Sequence, residues 1–207
     1  MSTPIDHIVY AVPDLHKAIK ALGKKLGVEP VYGGKHQTFG THNALVGLGK
    51  GCYLELLAAD PENTDVFPPR WMGVDIISKP TITRWAIVSD DIDEQARKLQ
   101  NINPDMGHVQ QGMRRKTDGS LLRWKLAMPL PKPEVEVIPF ILDWQGSIHP
   151  SHDLENTCSI HSFSLGHPNA RYMSHALKQA GIEADIQESE QSFIKLQLKT
   201  PNGIVDL

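Results

Sequence analysis

The chain has 207 residues, a formal net charge of -3 and 40% hydrophobic residues, enough for one sizeable core. No basic excess or polybasic run points to nucleic acid or to an anionic membrane, and no apolar stretch reaches the roughly 18 residues of a membrane span. Cys52 and Cys158 stand far apart without metal-binding spacing, which argues against a disulfide framework or structural zinc.

The first ten residues lack the charged and apolar regions of a secretory signal, so the cytoplasm is the expected compartment. From there the chain repeats itself. "IDHIVYAVPDLHKAIKALGKKLG" (5–27), "ITRWAIVSDDIDEQARKLQ" (82–100) and "CSIHSFSLGHPNARYMSHALKQAG" (158–181) each read as an apolar strand, a turn and an amphipathic helix. Leu15, Ile19, Leu22 and Leu26 recur at helical spacing in the first. Ile92, Ala96 and Leu99 do so in the second, and Ala170, Met173 and Leu177 in the third, with Gly181 as a helix stop.

Three strand-like stretches follow each helix, separated by turn pairs such as Gly33-Gly34, Lys50-Gly51, Asp118-Gly119 and Asn202-Gly203. The expected fold is α+β. Repeated βαβββ modules form an open curved sheet, with a third, shorter module at the C-terminus. One domain spans 1–207, with modules near 4–59, 81–144 and 157–207. The Pro-rich segments 60–80 and 145–156 connect the modules, and 129–136 reads as a long hairpin turn.

Chemistry is expected where polar residues interrupt apolar strands. His7 sits near the start of the first strand and Glu55 breaks the run from Tyr53 to Ala59. An unpaired buried carboxylate costs several kcal/mol, so Glu55 needs a cation, a donor or solvent. A histidine and a glutamate converging on one cup form the start of a divalent-metal site. The bland alternative keeps His7 in the core on a carbonyl and Glu55 at a wet edge. The ten histidines of the chain add a mild hint of metal or acid–base chemistry.

"DHIVYAVPDL" with "YLELLA" resembles the first module of the vicinal oxygen chelate superfamily, which includes glyoxalase I, extradiol dioxygenases and bleomycin-binding proteins. "GGKH" (33–36), "GTHNALVGLG" (40–49) and "YLELLAADP" (53–61) resemble more closely the glyoxalase-like domain family. "RWAIVSDDI", "DGSLLRW" (118–124), "PFILDW" (139–144) and "HPS" (149–151) extend the likeness over essentially the whole chain. The resemblance implies a divalent ion (Zn, Ni, Mn or Fe) held by His7 and Glu55 in the first module. In the second, Asp143 matches Glu55 as a third ligand or a catalytic base, or else it caps a strand end. His149 completes the set, binds substrate, or lies exposed in its loop. The second module departs from the pattern, since a turn-anchored alignment sets Arg84, or with a one-residue slip Trp85, opposite His7.

His36 and Asn43 fall within the family-like motifs, and an Asn amide can position a carbonyl or carboxylate. Arg123 binds an acidic substrate if it points inward and is a surface charge if it points outward. Trp85 and Trp124 serve as core or as aromatic walls of the cup. In the third module Ser162 matches His7, and His161 faces away.

The resemblance implies a small-molecule substrate and a metal-dependent lyase or isomerase of glyoxalase type acting on an oxygen-rich compound, with Glu55 or Asp143 moving the proton. A non-catalytic small-molecule binding protein and an extradiol-type dioxygenase are the alternatives. Pairing of modules between chains, common in the superfamily, implies a homodimer. Neither nucleic acid nor membrane is an expected partner.

Overall fold

Asp14 starts the first helix: its carboxylate accepts a hydrogen bond from the Lys17 backbone N–H at 3.0 Å, satisfying one of the free amides of the first turn. The helix, α1 (Leu15–Leu26), buries Leu15, Leu22 and Leu26 and ends at Gly27, whose φ of 74° suits glycine. It follows strand β1 (His7–Ala11) and precedes β2 (Val31–His36), β3 (Thr41–Gly49) and β4 (Cys52–Ala59). The second module repeats the plan with β5 (Thr81–Val88), α2 (Ile92–Ile102), β6 (Val109–Arg115), β7 (Leu121–Ala127) and β8 (Phe140–Asp143). Asp91 caps α2 through the Glu94 N–H, and Ile92, Ala96 and Leu99 are its buried face. The computed structural model describes residues 3–115 and 119–207, without the Arg115 side chain; Asp118 of the expected Asp118-Gly119 turn lies outside them.

Within each of these modules the first strand runs parallel to the last, and the two first strands, β1 and β5, pair antiparallel. On the far side Lys35 of β2 pairs with Arg115 of β6. The curved sheet thereby closes into an eight-stranded barrel, β1-β4-β3-β2-β6-β7-β8-β5. Alternation along the strands then gives two packed layers. Ile8, Leu54 and Leu56 face out and join the leucines of α1 in one cluster. Val9, Leu57, Ala86, Phe140 and Leu142 face in, with Trp71 and Trp124 among them. Each fully buried leucine of these layers stabilises the fold by about 1.5–3 kcal/mol.

The third unit keeps the expected element order, β9 (Ser159–His167), α3 (Ala170–Gln179), β10 (Ile186–Glu188), β11 (Phe193–Thr200) and β12 (Gly203–Asp206). Its pairing differs: the strand order is β10-β9-β11-β12. A two-residue turn, Pro201-Asn202, keeps β12 on the far edge of β11, so β9 pairs with β10 and β11 rather than with the last strand. This sheet packs on the outside of the barrel, where Trp85 meets Phe163 with ring centroids 5.6 Å apart.

Two connections matter for the interior. Residues 60–80 carry a short 3-10 helix, Trp71–Gly73, which buries Trp71 and Met72 in the inner cluster. The segment 129–136 wraps the Arg84 guanidinium, which donates to the carbonyls of Thr83, Leu130, Lys132 and Glu134. Among the described residues no helix is long and apolar enough to cross a membrane.

Candidate functional site

His7 and Glu55 meet inside the barrel because β1 and β4 are parallel neighbours, with His7 beside Tyr53 and Val9 beside Glu55. His7 Nε2 lies 3.6 Å from Glu55 Oε2. His7 Nδ1 donates to Asp6 Oδ1 at 2.5 Å, which fixes the ring and leaves Nε2 as the edge turned to Glu55. The ring stacks on Tyr53 with centroids 4.7 Å apart and meets the edge of Phe140 at 5.2 Å.

Asp6 is only 4% exposed and anchors a second layer of contacts. Its Oδ2 accepts from Trp144 Nε1 and from His149 Nε2, each at 2.9 Å. Burial alone would raise this carboxyl, but the hydrogen bonds from His149 and His7 outweigh it and hold Asp6 well below the usual carboxylate range. His149 in turn caps the 3-10 helix Pro150–Asp153, its Nδ1 accepting from the Ser151 N–H and hydroxyl. Both of its ring nitrogens are therefore in use.

On the other side of Glu55, Oε1 accepts from Asn43 Nδ2 at 2.5 Å, and Asn43 Oδ1 accepts from Arg114 Nη1 at 3.2 Å. Gly33 makes room for this pair, since a Cβ there would lie 2.2 Å from Arg114 Nη1 and 2.4 Å from Asn43 Oδ1. We expect Gly33→Ala to cost about 1–3 kcal/mol of stability through overpacking. It also displaces Asn43 from Glu55, and the loss is read as a lower denaturant midpoint.

His36 sits edge-on to Trp71 and Trp124, with Nδ1 hydrogen-bonded to Thr41 Oγ1 at 3.0 Å. Burial first, then the positive charge of Arg114, pushes its pKa down from 6.5 to about 3. The folded protein thus excludes a proton that the unfolded chain binds. His36 favours folding fully above pH about 6.5, and stability falls by about 1.4 kcal/mol per pH unit as pH drops from there toward 3. We expect His36→Gln to flatten that slope in urea titrations, at a cost of about 1 kcal/mol at neutral pH for the altered hydrogen bond.

His7, His36, Asn43, Glu55, Tyr53, Arg114 and the rings of Trp71, Trp124, Trp144 and Phe140 line a cavity of about 20 Å3, room for roughly one water. A much larger cavity, about 850 Å3, lies elsewhere, between the outer wall at Cys52 and Trp85 and the third sheet at Cys158 and Phe163. Its two acids, Glu183 and Asp185, are exposed.

Of the expected site residues, His7, Glu55, His36 and Asn43 converge on this cavity. His149 stands one hydrogen bond behind, on Asp6. The structure places Asp143, Arg123 and Trp85 away from the cavity. Asp143 does not occupy the place of Glu55. Aligning the modules on their helix caps, Asp14 and Asp91, sets Ala86 at the position of Val9, and Ala86 pairs with Phe140 as Val9 pairs with Glu55. Phe140, Leu142 and Trp144 line the cavity; Asp143, between them in alternation, accepts the Gln145 N–H at 2.8 Å. Arg123 is exposed between the inward Leu122 and Trp124. Trp85 faces outward, donating from Nε1 to Val137 O at 2.8 Å. Asp6, Tyr53, Trp71, Arg114 and Trp144 are site residues that sequence reasoning missed; for Asp6 the adjacent pair Asp6-His7 was an available signal.

The donor set does not fit a chelated divalent ion. Among the described residues no group of three or more His, Cys, Asp or Glu side chains is placed to hold a metal ion: Asp6, which joins His7 and His149, has both oxygens hydrogen-bonded. The same cap alignment puts Arg84 where His7 stands in the first module, and that guanidinium is taken by loop carbonyls, while Phe140 stands where Glu55 does. His7 and Glu55 thus face an aromatic wall instead of a second pair of ligands.

A family model described as a glyoxalase-like domain matches residues 5–181. Among solved structures, a hypothetical protein from Staphylococcus aureus aligns over 98% of this chain and 97% of its own, at 17% identity and a TM-score of 0.67. A methylmalonyl-CoA epimerase variant from Streptomyces coelicolor aligns over 72% of this chain and 100% of its own, at 19% identity and a TM-score of 0.45. The methylmalonyl-CoA epimerase from Mycobacterium tuberculosis covers 68% and 86%, at 23% identity and a TM-score of 0.42. No curated protein matches the chain.

Proposed function

This chain belongs to the glyoxalase-like domain family, and on that footing we propose that a small oxygen-bearing organic molecule binds at the barrel cavity with one oxygen in its one-water space, and is isomerised or cleaved there by proton transfer. Glu55 is the base and His7 its partner. The observation that carries this reading is the 3.6 Å approach of His7 Nε2 to Glu55 Oε2, with the opposite ring nitrogen tied to buried Asp6. A carboxylate that is desolvated, oriented by Asn43 and set beside an imidazole is suited to removing a proton from a bound carbon acid and returning it. Asp143 has no part in this step, and no step passes through a divalent ion.

The test is solvent exchange. Small carbonyl compounds with acidic α-hydrogens, beginning with hydroxyacetone, are incubated with the protein in deuterated buffer and followed by proton NMR. Protein-dependent loss of the α-proton signal is the expected result; no loss across the series refutes the reading. A non-catalytic binding protein is the second reading, supported by the aromatic walls of the cavity, and it expects binding without exchange. An extradiol-type site finds less support, because both nitrogens of His149 are bonded elsewhere.

A further inference from the structure

Trp71 raises a question that the His7–Glu55 pair does not answer. It is 92% buried (8% exposed) and lines the cavity, yet its indole Nε1 has no hydrogen-bond partner among the described residues. A buried donor without an acceptor costs about 1–3 kcal/mol, so such a group calls for a role. Arg114 lines the same cavity, is 4% exposed, and spends Nη1 on Asn43 Oδ1. The free space between these walls is about 20 Å3, the size of one oxygen-centred molecule. Glu55 lines the same space.

We infer that the space is an oxygen subsite, in which Trp71 Nε1 and the Arg114 guanidinium donate to the carbonyl oxygen of a substrate bearing an α-hydrogen. The inference rests on the proton-transfer reading and names its substrate class and its electrophile. In the step, the C–H bond next to the carbonyl breaks and its proton passes to a Glu55 oxygen. The freed pair forms the carbon–carbon double bond, and the carbonyl π pair moves onto oxygen. One negative charge has moved from Glu55 to the substrate oxygen, so the cavity keeps its charge balance with Arg114 and nothing is oxidised or reduced. Return of the proton to carbon completes an isomerisation. The guanidinium and the indole N–H supply the stabilisation of the developing oxyanion from fixed donors in a dry site.

Acetohydroxamate, a small planar molecule with two adjacent oxygens, is the probe, used with excess EDTA. Its binding is followed by indole resonances in proton–nitrogen NMR, with Trp71 assigned by its loss in Trp71→Phe. The expected result is a downfield shift of the Trp71 indole proton on saturation. Affinity falls about tenfold in Trp71→Phe and at least tenfold in Arg114→Gln, the loss of one hydrogen bond each. An unshifted indole proton, absence of binding at high millimolar probe, or Trp71→Phe binding as tightly as the parent overturns the inference; the last holds even if Arg114→Gln fails to fold. A shifted indole proton without deuterium exchange in any carbonyl compound supports the oxygen subsite and refutes the proton-transfer reading.

Discussion

Asp6→Ala is expected to lower the free energy of unfolding by about 3–5 kcal/mol, the largest loss from any single change in the site. Three donors lose their acceptor at once: His7 Nδ1, His149 Nε2 and Trp144 Nε1. Each belongs to a different part of the barrel wall, so the change loosens β1, the end of β8 and the 149–153 turn together. The native carboxyl is held below its ordinary value, so its contribution is fully present above the unfolded value near 3.8 and is lost as pH falls below it. Urea unfolding of the parent should therefore show a steep loss below pH about 4. That loss should shrink in Asp6→Asn, which keeps the shape and removes the charge. A midpoint in Asp6→Ala within the error of the parent would contradict the anchoring role.

Glu55→Gln is expected to reduce α-proton exchange by about 10²- to 10⁴-fold, the usual contribution of a positioned base. The fold should survive. A glutamine oxygen can still accept from Asn43 Nδ2, and its amide can face His7 Nε2 in the space the second carboxylate oxygen occupied. The paired readout separates the two roles of Glu55. Stability should change by about 1 kcal/mol or less while exchange collapses; a folded variant that exchanges at the parent rate denies Glu55 the role of base.

Part of the site is written in local sequence and part only in the folded chain. The helices were legible because their apolar spacing is local, as with Leu15, Leu22 and Leu26 between Asp14 and Gly27. His7 and Glu55 were legible because they interrupt apolar strands that a buried sheet would otherwise fill. Asp143 misled for the opposite reason. Its likeness to Glu55 was one of letters, and the strand register that decides which residue faces inward exists only once β5 and β8 pair. Arg114 was hidden because its partner Asn43 is 71 residues away, and the glycine that admits it, Gly33, looked like ordinary turn chemistry. The third unit kept its element order but not its pairing, since the choice of neighbour for β9 is made between distant strands.

The central claim is that a glyoxalase-like barrel works here with His7 and Glu55 alone on one wall, the second pair of ligand positions having gone to Arg84 and Phe140. The most direct test is the α-proton exchange rate of chelator-stripped protein, measured first with excess EDTA and then with one equivalent of Zn, Ni, Mn or Fe restored. The expected result is the same rate in both conditions. A rate that vanishes on chelation and returns with the ion would contradict the claim and restore a metal to the centre of the site.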